Sequence, residues 1–360
     1  MQNCLSCKDS KMMELLTNSK HILVIKLRYL GDSIWMLPFV ENLKQNLPCV
    51  RLSVLVNKGT EAFFYNCLSV DNVIPFPRKE VKNGLRGVIR FLSLLRGIRR
   101  LKPDVVIELT DADRPAIIGL LSGAKIRIGY NNENRWRNRL YTHIVKSRIN
   151  IKHMVEYHLD VLRELGMRIF DDSIKVHVDG VTFQSLREKI PSVFHEDGRK
   201  KVLVHPGARN PLRQWDAEKF AYLCDALSDT CRTFLIAGPD EGAILKEVLR
   251  YMKTQPEICL NNLSLYEFAA LCGLCDIFIG NDSGPIHIAS AKTFTIGIYG
   301  PSLPELAGPW TQKKLIFDPG PLPCRPCRQD RCSNIESKAC ISRIKPEEVV
   351  EKIKEILSTL

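Results

Sequence analysis

The sequence predicts an α/β protein made of two doubly wound units, one after the other. Three observations lead there. Short runs rich in Val, Ile and Leu recur along the chain, segments of helical spacing separate them, and the alternation restarts once, near "HVDGVTFQS" (177–185). Apolar runs separated by helices mark parallel sheets covered on both faces. At 360 residues the chain is long enough for two cores of ordinary size.

The elements follow in order. Residues 1–20, "MQNCLSCKDSKMMELLTNSK", lack the apolar core of a signal peptide and are expected to form a loose N-terminal extension. The first unit is expected over 21–180, with strands "HILVIKL" (21–27), "RLSVLV" (51–56), "NVIPF" (72–76), "DVVIEL" (104–109) and "IRIGY" (126–130). The second is expected over 181–360, with strands "KVLVHPG" (201–207), "RTFLIAG" (232–238), "EICL" (257–260), "CDIFIG" (275–280) and "FTIGIYG" (294–300). Ala217–Leu227 and Leu265–Leu274 read as helices between them. Two such units should enclose a cleft between the carboxyl ends of their sheets, where ligands of such sheets bind. No run approaches the ~18 apolar residues that cross a bilayer, so no transmembrane helix is expected.

Apolar content of 45% and charged content of 26% describe a globular chain. Its 13 cysteines suit reduced thiols and a cytoplasmic setting better than a secreted disulfide framework. The net charge of +12 is uneven. Residues 1–180 hold 29 Lys and Arg against 18 Asp and Glu; residues 181–360 hold 23 against 22. The first half is therefore suited to an anionic partner: nucleic acid, an acidic membrane surface or a phosphorylated substrate.

Four constellations fall at strand ends. In "NDSGPIHIASA" (281–291), Pro285 suits the opening of a helix capped by Ser283 or Gly284, flanked by Asp282 and His287. Such a start offers free N–H groups to a diphosphate, although a capped helix with nothing bound has the same pattern. In "HPGARNPLRQW" (205–215), Arg209 and Arg213 could hold phosphate oxygens or simply face solvent. In "AGPDEGA" (237–243), Asp240 or Glu241 could bind ribose hydroxyls, or only favour a helix N-terminus. The opening turn "RYLGDSIW" places Asp32 after the first strand, as a general base within reach of a hydroxyl or as a helix cap. No G-x-G-x-x-G follows any strand, which disfavours a dinucleotide oxidoreductase.

Together "RYLGDSIWMLPFVENLK", "HPGARNPLRQWDAEKFAYL" and "GNDSGPIHIASAKTFTIGIYGPS" resemble, in order and spacing, the heptosyltransferases of lipopolysaccharide core assembly, glycosyltransferase family 9. The stretches "IELTDADRPAIIGLLSGAKIRIGY" and "HMVEYHLDVLRELG" look most like the heptosyltransferase III branch. The resemblance implies a GT-B fold, two Rossmann-like domains facing each other across a cleft. The N-terminal one would take the acceptor and the C-terminal one the ADP-sugar. It also implies an inverting transfer of heptose from ADP-heptose to a hydroxyl of the inner core, with no cofactor beyond that donor substrate. No Asp-x-Asp metal signature stands at either candidate phosphate loop, so the transfer is expected to be metal-independent. Asp32 matches the family's catalytic aspartate. Arg213 stands where the family usually has a lysine on the donor phosphates, Glu241 falls near a donor-sugar acid, and Asp282, Ser283, Gly284, Pro285 and His287 match the donor-binding turn. Trp35 adds bulk after the catalytic turn, expected to reshape the acceptor site.

The basic first half then suits a phosphorylated glycolipid acceptor, with Arg114, Arg135, Arg137 and Arg139 as contacts. Asp111 and Asp113 are expected to order the Arg114 loop. Residues 83–100, a basic amphipathic segment, could lie on the inner leaflet at the cytoplasmic face of the inner membrane or cover a sheet. A GT-B transferase with another nucleotide-sugar or acceptor is the nearest alternative. A nucleic-acid-binding protein fits less well, because the basic half lacks interleaved aromatics. Cys324, Cys327, Cys332 and Cys340 have spacing that suits structural zinc or reduced thiols in a packed loop. Cys272 and Cys275 read as core, and Cys4 and Cys7 lie in the extension.

Overall fold

The computed structural model describes residues 12–132, 134–327, 329–334 and 336–359. The chain divides between Lys175 and Val176 into two compact units, each carrying a six-stranded sheet whose pairings are all parallel.

The first unit has β1 (His21–Lys26), β2 (Arg51–Asn57), β3 (Asn72–Phe76), β4 (Val105–Glu108), β5 (Ile126–Tyr130) and β6 (His143–Val145). They are ordered β3-β2-β1-β4-β5-β6. All six residues of β1 are buried, as a central strand with helices on both faces requires. Leu23, Ile25, Leu55, Phe76, Val106 and Ile118 close one core layer with Leu95 and Ile98 of the helix Gly84–Arg100.

In the second unit the strands are β7 (Lys200–His205), β8 (Cys231–Ile236), β9 (Ile258–Leu260), β10 (Ile277–Asn281), β11 (Phe294–Ile298) and β12 (Lys314–Phe317). Their order, β12-β11-β10-β7-β8-β9, is the order of the first unit read from the other edge. Trp215, Phe220 and Leu223 pack with Val202, Ile279 and Ile353 in its core. Cys272 and Cys275 are buried there, and burial pushes both thiols up.

In both sheets the strand order reverses beside the first strand, between β1 and β4 and between β7 and β10. Loops leaving the carboxyl ends of those strands diverge and leave a crevice, the usual ligand position in open α/β sheets.

Of the expected loose extension, residues 1–11 lie outside the described residues, and residues 12–20 are not loose. Residues 12–17 are helical, and Met12 and Leu16, one turn apart, are both buried. The apolar pair gives that turn a place to pack. Cys4 and Cys7 lie outside the described residues. Two strands escaped the sequence reading: β6 and β12 have only three and four residues.

Candidate active site

At the first reversal, β1 ends in Lys26 and the next turn begins the helix Leu30–Ile34. Asp32 occupies its third position, where the carboxylate accepts from the Tyr29 N–H at 3.3 Å. Asp32 thus lies inside a short helix capped by Tyr29 and does not cap a helix running from Ser33 to Lys44, which divides into Leu30–Ile34 and Leu37–Asn46. Its side chain remains 23% exposed. Behind it lies a group the sequence reading missed. Lys26 is fully buried, its Nζ 3.9 Å from Asp32 Oδ1. Nζ donates to the Leu109 carbonyl at 2.8 Å and to His158 Nε2 at 2.9 Å. His158 Nδ1 lies 3.2 Å from the Trp35 carbonyl, which fixes the tautomer with Nε2 as acceptor. Burial pushes the Lys26 ammonium down to about 8, against the pull of Asp32, and holds His158 well below its ordinary range. The one sequence signal was a lone lysine in an apolar strand.

Trp35 turns inward. Its ring is buried edge-on to His153, with centroids 5.5 Å apart. Its backbone carbonyl meets His158, and Trp35 is not among the residues that line the cavity at this reversal.

The β4 end carries Glu108, buried and accepting from the N–H groups of Thr110 and Asp111 and from Tyr141 O–H at 2.8 Å; burial raises its pKa. Asp111 and Asp113 hold Arg137, not the Arg114 loop. Arg137 Nη2 donates to Asp111 Oδ1 at 2.8 Å and Nη1 to Asp113 Oδ1 at 3.1 Å. The Arg137 side chain is buried, so this arginine is a structural clamp and the expectation of an acceptor contact at this position is corrected.

Arg114 does reach a pocket. With Arg28, Tyr29, Asn57, Phe76, Arg78 and Thr110 it lines a cavity of about 230 Å³ at the reversal. Its guanidinium lies 5.7 Å from the Phe76 ring, and that of Arg78 lies 5.3 Å from Tyr29. Arg28 and Arg78 were absent from the sequence reading. Arg135 and Arg139 are exposed on the short helix Trp136–Leu140 and its flank, and neither is among the residues that line this cavity.

At the second reversal Arg213 and Asp282 meet. Arg213 Nη1 lies 2.9 Å from Asp282 Oδ2, and Nε donates to Gln329 Oε1 at 2.6 Å. Asp282 is buried and also accepts from Ser302 Oγ. Burial raises the Asp282 carboxyl and Arg213 pulls it back. The acid therefore positions the arginine, which in turn offsets its charge. Nη2 of Arg213 has no partner among the described residues. The loop is fixed by Asn281, which accepts from Trp215 N–H at 3.0 Å and donates to the Pro206 carbonyl at 2.8 Å.

Ser283 stands at the N-cap position of the helix Gly284–Ala289, without a side-chain capping bond, with Gly284 first and Pro285 second. Ser283 Oγ is buried with no hydrogen-bond partner among the described residues. His287 is buried within that helix, and Arg209 is exposed on the β7 loop. Glu241 accepts from the Gly238 N–H at 2.8 Å and faces His205 Nε2 at 3.5 Å. Its carboxylate lies over Gly207, where any Cβ would overlap it. Asp240 is exposed one residue earlier.

Cys324, Cys327, Cys332 and Cys340 line one small cavity of about 20 Å³. Burial raises Cys340, whereas N–H groups of Lys338 and Asn334 lower Cys332. Among the described residues no three His, Cys, Asp or Glu side chains are gathered to hold a metal.

The sequence profile of glycosyltransferase family 9 (heptosyltransferase) matches residues 91–337. This chain belongs to glycosyltransferase family 9. It is 28% identical over 340 residues to the lipopolysaccharide heptosyltransferase 3 of Escherichia coli K12, covering 92% of this chain and 96% of that one. A lipooligosaccharide heptosyltransferase 2 of Campylobacter jejuni is 28% identical over 244 residues, 64% of this chain and 76% of that one. Among solved structures, a family 9 glycosyltransferase from Veillonella parvula superposes with a TM-score of 0.82 at 22% identity, covering 95% and 98% of the two chains. The ADP-heptose heptosyltransferase II of E. coli gives 0.74 at 20%, covering 94% and 99%. The fold of this family 9 chain is thus GT-B, with both units Rossmann-like. Among its described residues no helix is long and apolar enough to cross a membrane.

Proposed function

We propose that this glycosyltransferase moves a heptose from ADP-heptose to a hydroxyl of the lipopolysaccharide inner core, with inversion at the anomeric carbon. Similarity to lipopolysaccharide heptosyltransferase 3 supports the sugar and the acceptor class. The E. coli heptosyltransferase WaaC, similar in fold and solved with ADP and with ADP-2-deoxy-2-fluoro heptose, supports the nucleotide.

Asp32 carries the reading. It is a partly exposed carboxylate at a strand-order reversal, with a buried lysine 3.9 Å behind it. Asp32 takes the acceptor proton as the hydroxyl oxygen bonds to the anomeric carbon. The bond from that carbon to the phosphate oxygen breaks, and ADP leaves with the electron pair. The transition state is oxocarbenium-like, as in inverting glycoside hydrolysis with a sugar hydroxyl in place of water. Lys26 keeps the carboxylate in position. Arg213, supported by Asp282 and joined by Arg209, meets the growing charge on the diphosphate. Ser283 Oγ and the turn through Gly284, Pro285 and His287 complete the donor side, and Glu241 takes a donor hydroxyl. This division of labour needs no divalent ion on the phosphates. Arg28, Arg78 and Arg114 receive anionic groups of the acceptor, joined by Arg135 and Arg139 at its margin. The enzyme works on the cytoplasmic side, at the inner membrane.

Calorimetric titration with ADP, GDP, UDP and ADP-heptose tests the donor. Binding confined to the adenine compounds, unchanged by EDTA, is the expected outcome. Equal affinity for all three nucleotides would overturn the proposed donor.

A further inference from the structure

The helix Gly84–Arg100 presents two apolar faces, of which the fold uses one. Leu95 and Ile98 are buried, and Phe91 and Leu94 pack beside them on the first unit's core. The other face consists of Leu85, Val88, Ile89 and Leu92, which are 52–77% exposed. Their spacing of three, four and seven residues from Leu85 sets them in one stripe along the helix. A stripe of four large aliphatic side chains in water loses hydrophobic free energy that a covering surface would restore.

The charges around it identify the cover. The helix holds Arg86, Arg90, Arg96, Arg99 and Arg100 and no acid. Lys79 and Lys82 lie exposed just before it. Glu80, four residues before the helix, is paired with Arg90 at 3.1 Å and Lys58 at 3.3 Å. Extended along the helix, the apolar stripe runs into Arg96, Arg99 and Arg100. Apolar side chains flanked by arginines suit the boundary between acyl chains and anionic headgroups. A second copy of the same face would set these arginines against one another, which is unfavourable. We infer that this helix docks the protein on an anionic lipid surface, with Leu85, Val88, Ile89 and Leu92 entering the headgroup region. Six residues upstream of the helix lies Arg78, which lines the arginine pocket, so docking would bring that pocket close to the lipid plane. The inference rests on the helix alone, not on the donor or on Asp32.

Flotation of the full chain with vesicles tests it, using phosphatidylglycerol with phosphatidylethanolamine against pure phosphatidylcholine. The wild type should float with the anionic vesicles and stay in solution with the zwitterionic ones, and added salt should weaken the association. Leu85→Gln/Ile89→Gln should lower partitioning by at least about tenfold, as should Arg96→Glu/Arg99→Glu. Both variants should keep the wild-type melting temperature, because these positions lie on the open face. Failure to float with anionic vesicles, or unchanged flotation of the Leu85→Gln/Ile89→Gln variant, would overturn the inference. So would sedimentation showing wild-type self-association that this variant abolishes, since the occupant would then be a second copy. None of these readouts depends on nucleotide or transfer.

Discussion

Replacing Arg137 with methionine should cost folding free energy and spare acceptor affinity. The substitution removes both donors to Asp111 Oδ1, at 2.8 and 3.3 Å, and leaves that carboxylate with Asn132 Nδ2 at 2.9 Å. Removing one partner of a buried pair costs about 3–5 kcal/mol, because the other charge stays buried. The Asp113 contact adds little: its carboxylate is 43% exposed, and solvated pairs contribute at most about 1 kcal/mol. Methionine retains much of the packing volume. The expected loss is about 3–4 kcal/mol, or roughly 6–16 °C in melting temperature for a unit of this size. Arg137→Lys should recover part of it, since a point charge replaces the guanidinium fork. Thermal unfolding by circular dichroism measures the loss, and acceptor KM is measured well below the transition. An unchanged melting temperature with a KM raised about tenfold would refute the clamp and return Arg137 to the acceptor site.

Three further outcomes follow from the same geometry. Lys26 titrates near 8 in the folded chain and at 10.5 when unfolded, so between those values only the unfolded state holds the proton. Stability should therefore rise with pH across that window, by up to about 3 kcal/mol at 1.36 kcal/mol per unit. Denaturation of wild type minus Lys26→Met isolates the slope, and identical profiles would show that Lys26 stays charged throughout. Gly207→Ala should displace the mobile end of Glu241 from the Gly238 N–H, costing about 1 kcal/mol of stability while raising donor KM. A donor KM that stays constant would remove Glu241 from the donor site. Arg213→Ala should strand buried Asp282 and weaken ADP binding, with Arg213→Ala/Asp282→Asn regaining stability but not affinity. If the double variant also regained affinity, the arginine's role would be structural only.

The groups that the sequence made legible share one property: they sit next to a strand in the chain. Asp32 follows β1, Arg213 follows β7 and Asp282 follows β10, so each could be placed by counting from an apolar run. The strand order itself was not legible, since parallel pairing joins distant segments. The Lys26–His158 hydrogen bond spans 132 positions, and no local pattern announces it. Arg78 looked like any arginine after a proline; only the fold sets it beside Arg28 and Arg114. Arg137 misled because its neighbours in sequence are exposed arginines, while its partners lie 24 and 26 positions earlier. The short strands β6 and β12 carry too few residues to show a period.

The central claim is that Asp32 is the general base of heptosyl transfer. Single-turnover transfer from ADP-heptose to a lipopolysaccharide core acceptor, compared between wild type and Asp32→Asn, tests it most directly. Asparagine retains the size of the side chain and can still accept from the Tyr29 N–H, so the turn should survive. The account predicts a loss of about 10²–10⁴-fold in the transfer step with ADP affinity unchanged. Transfer at the wild-type rate by a folded Asp32→Asn enzyme would contradict it.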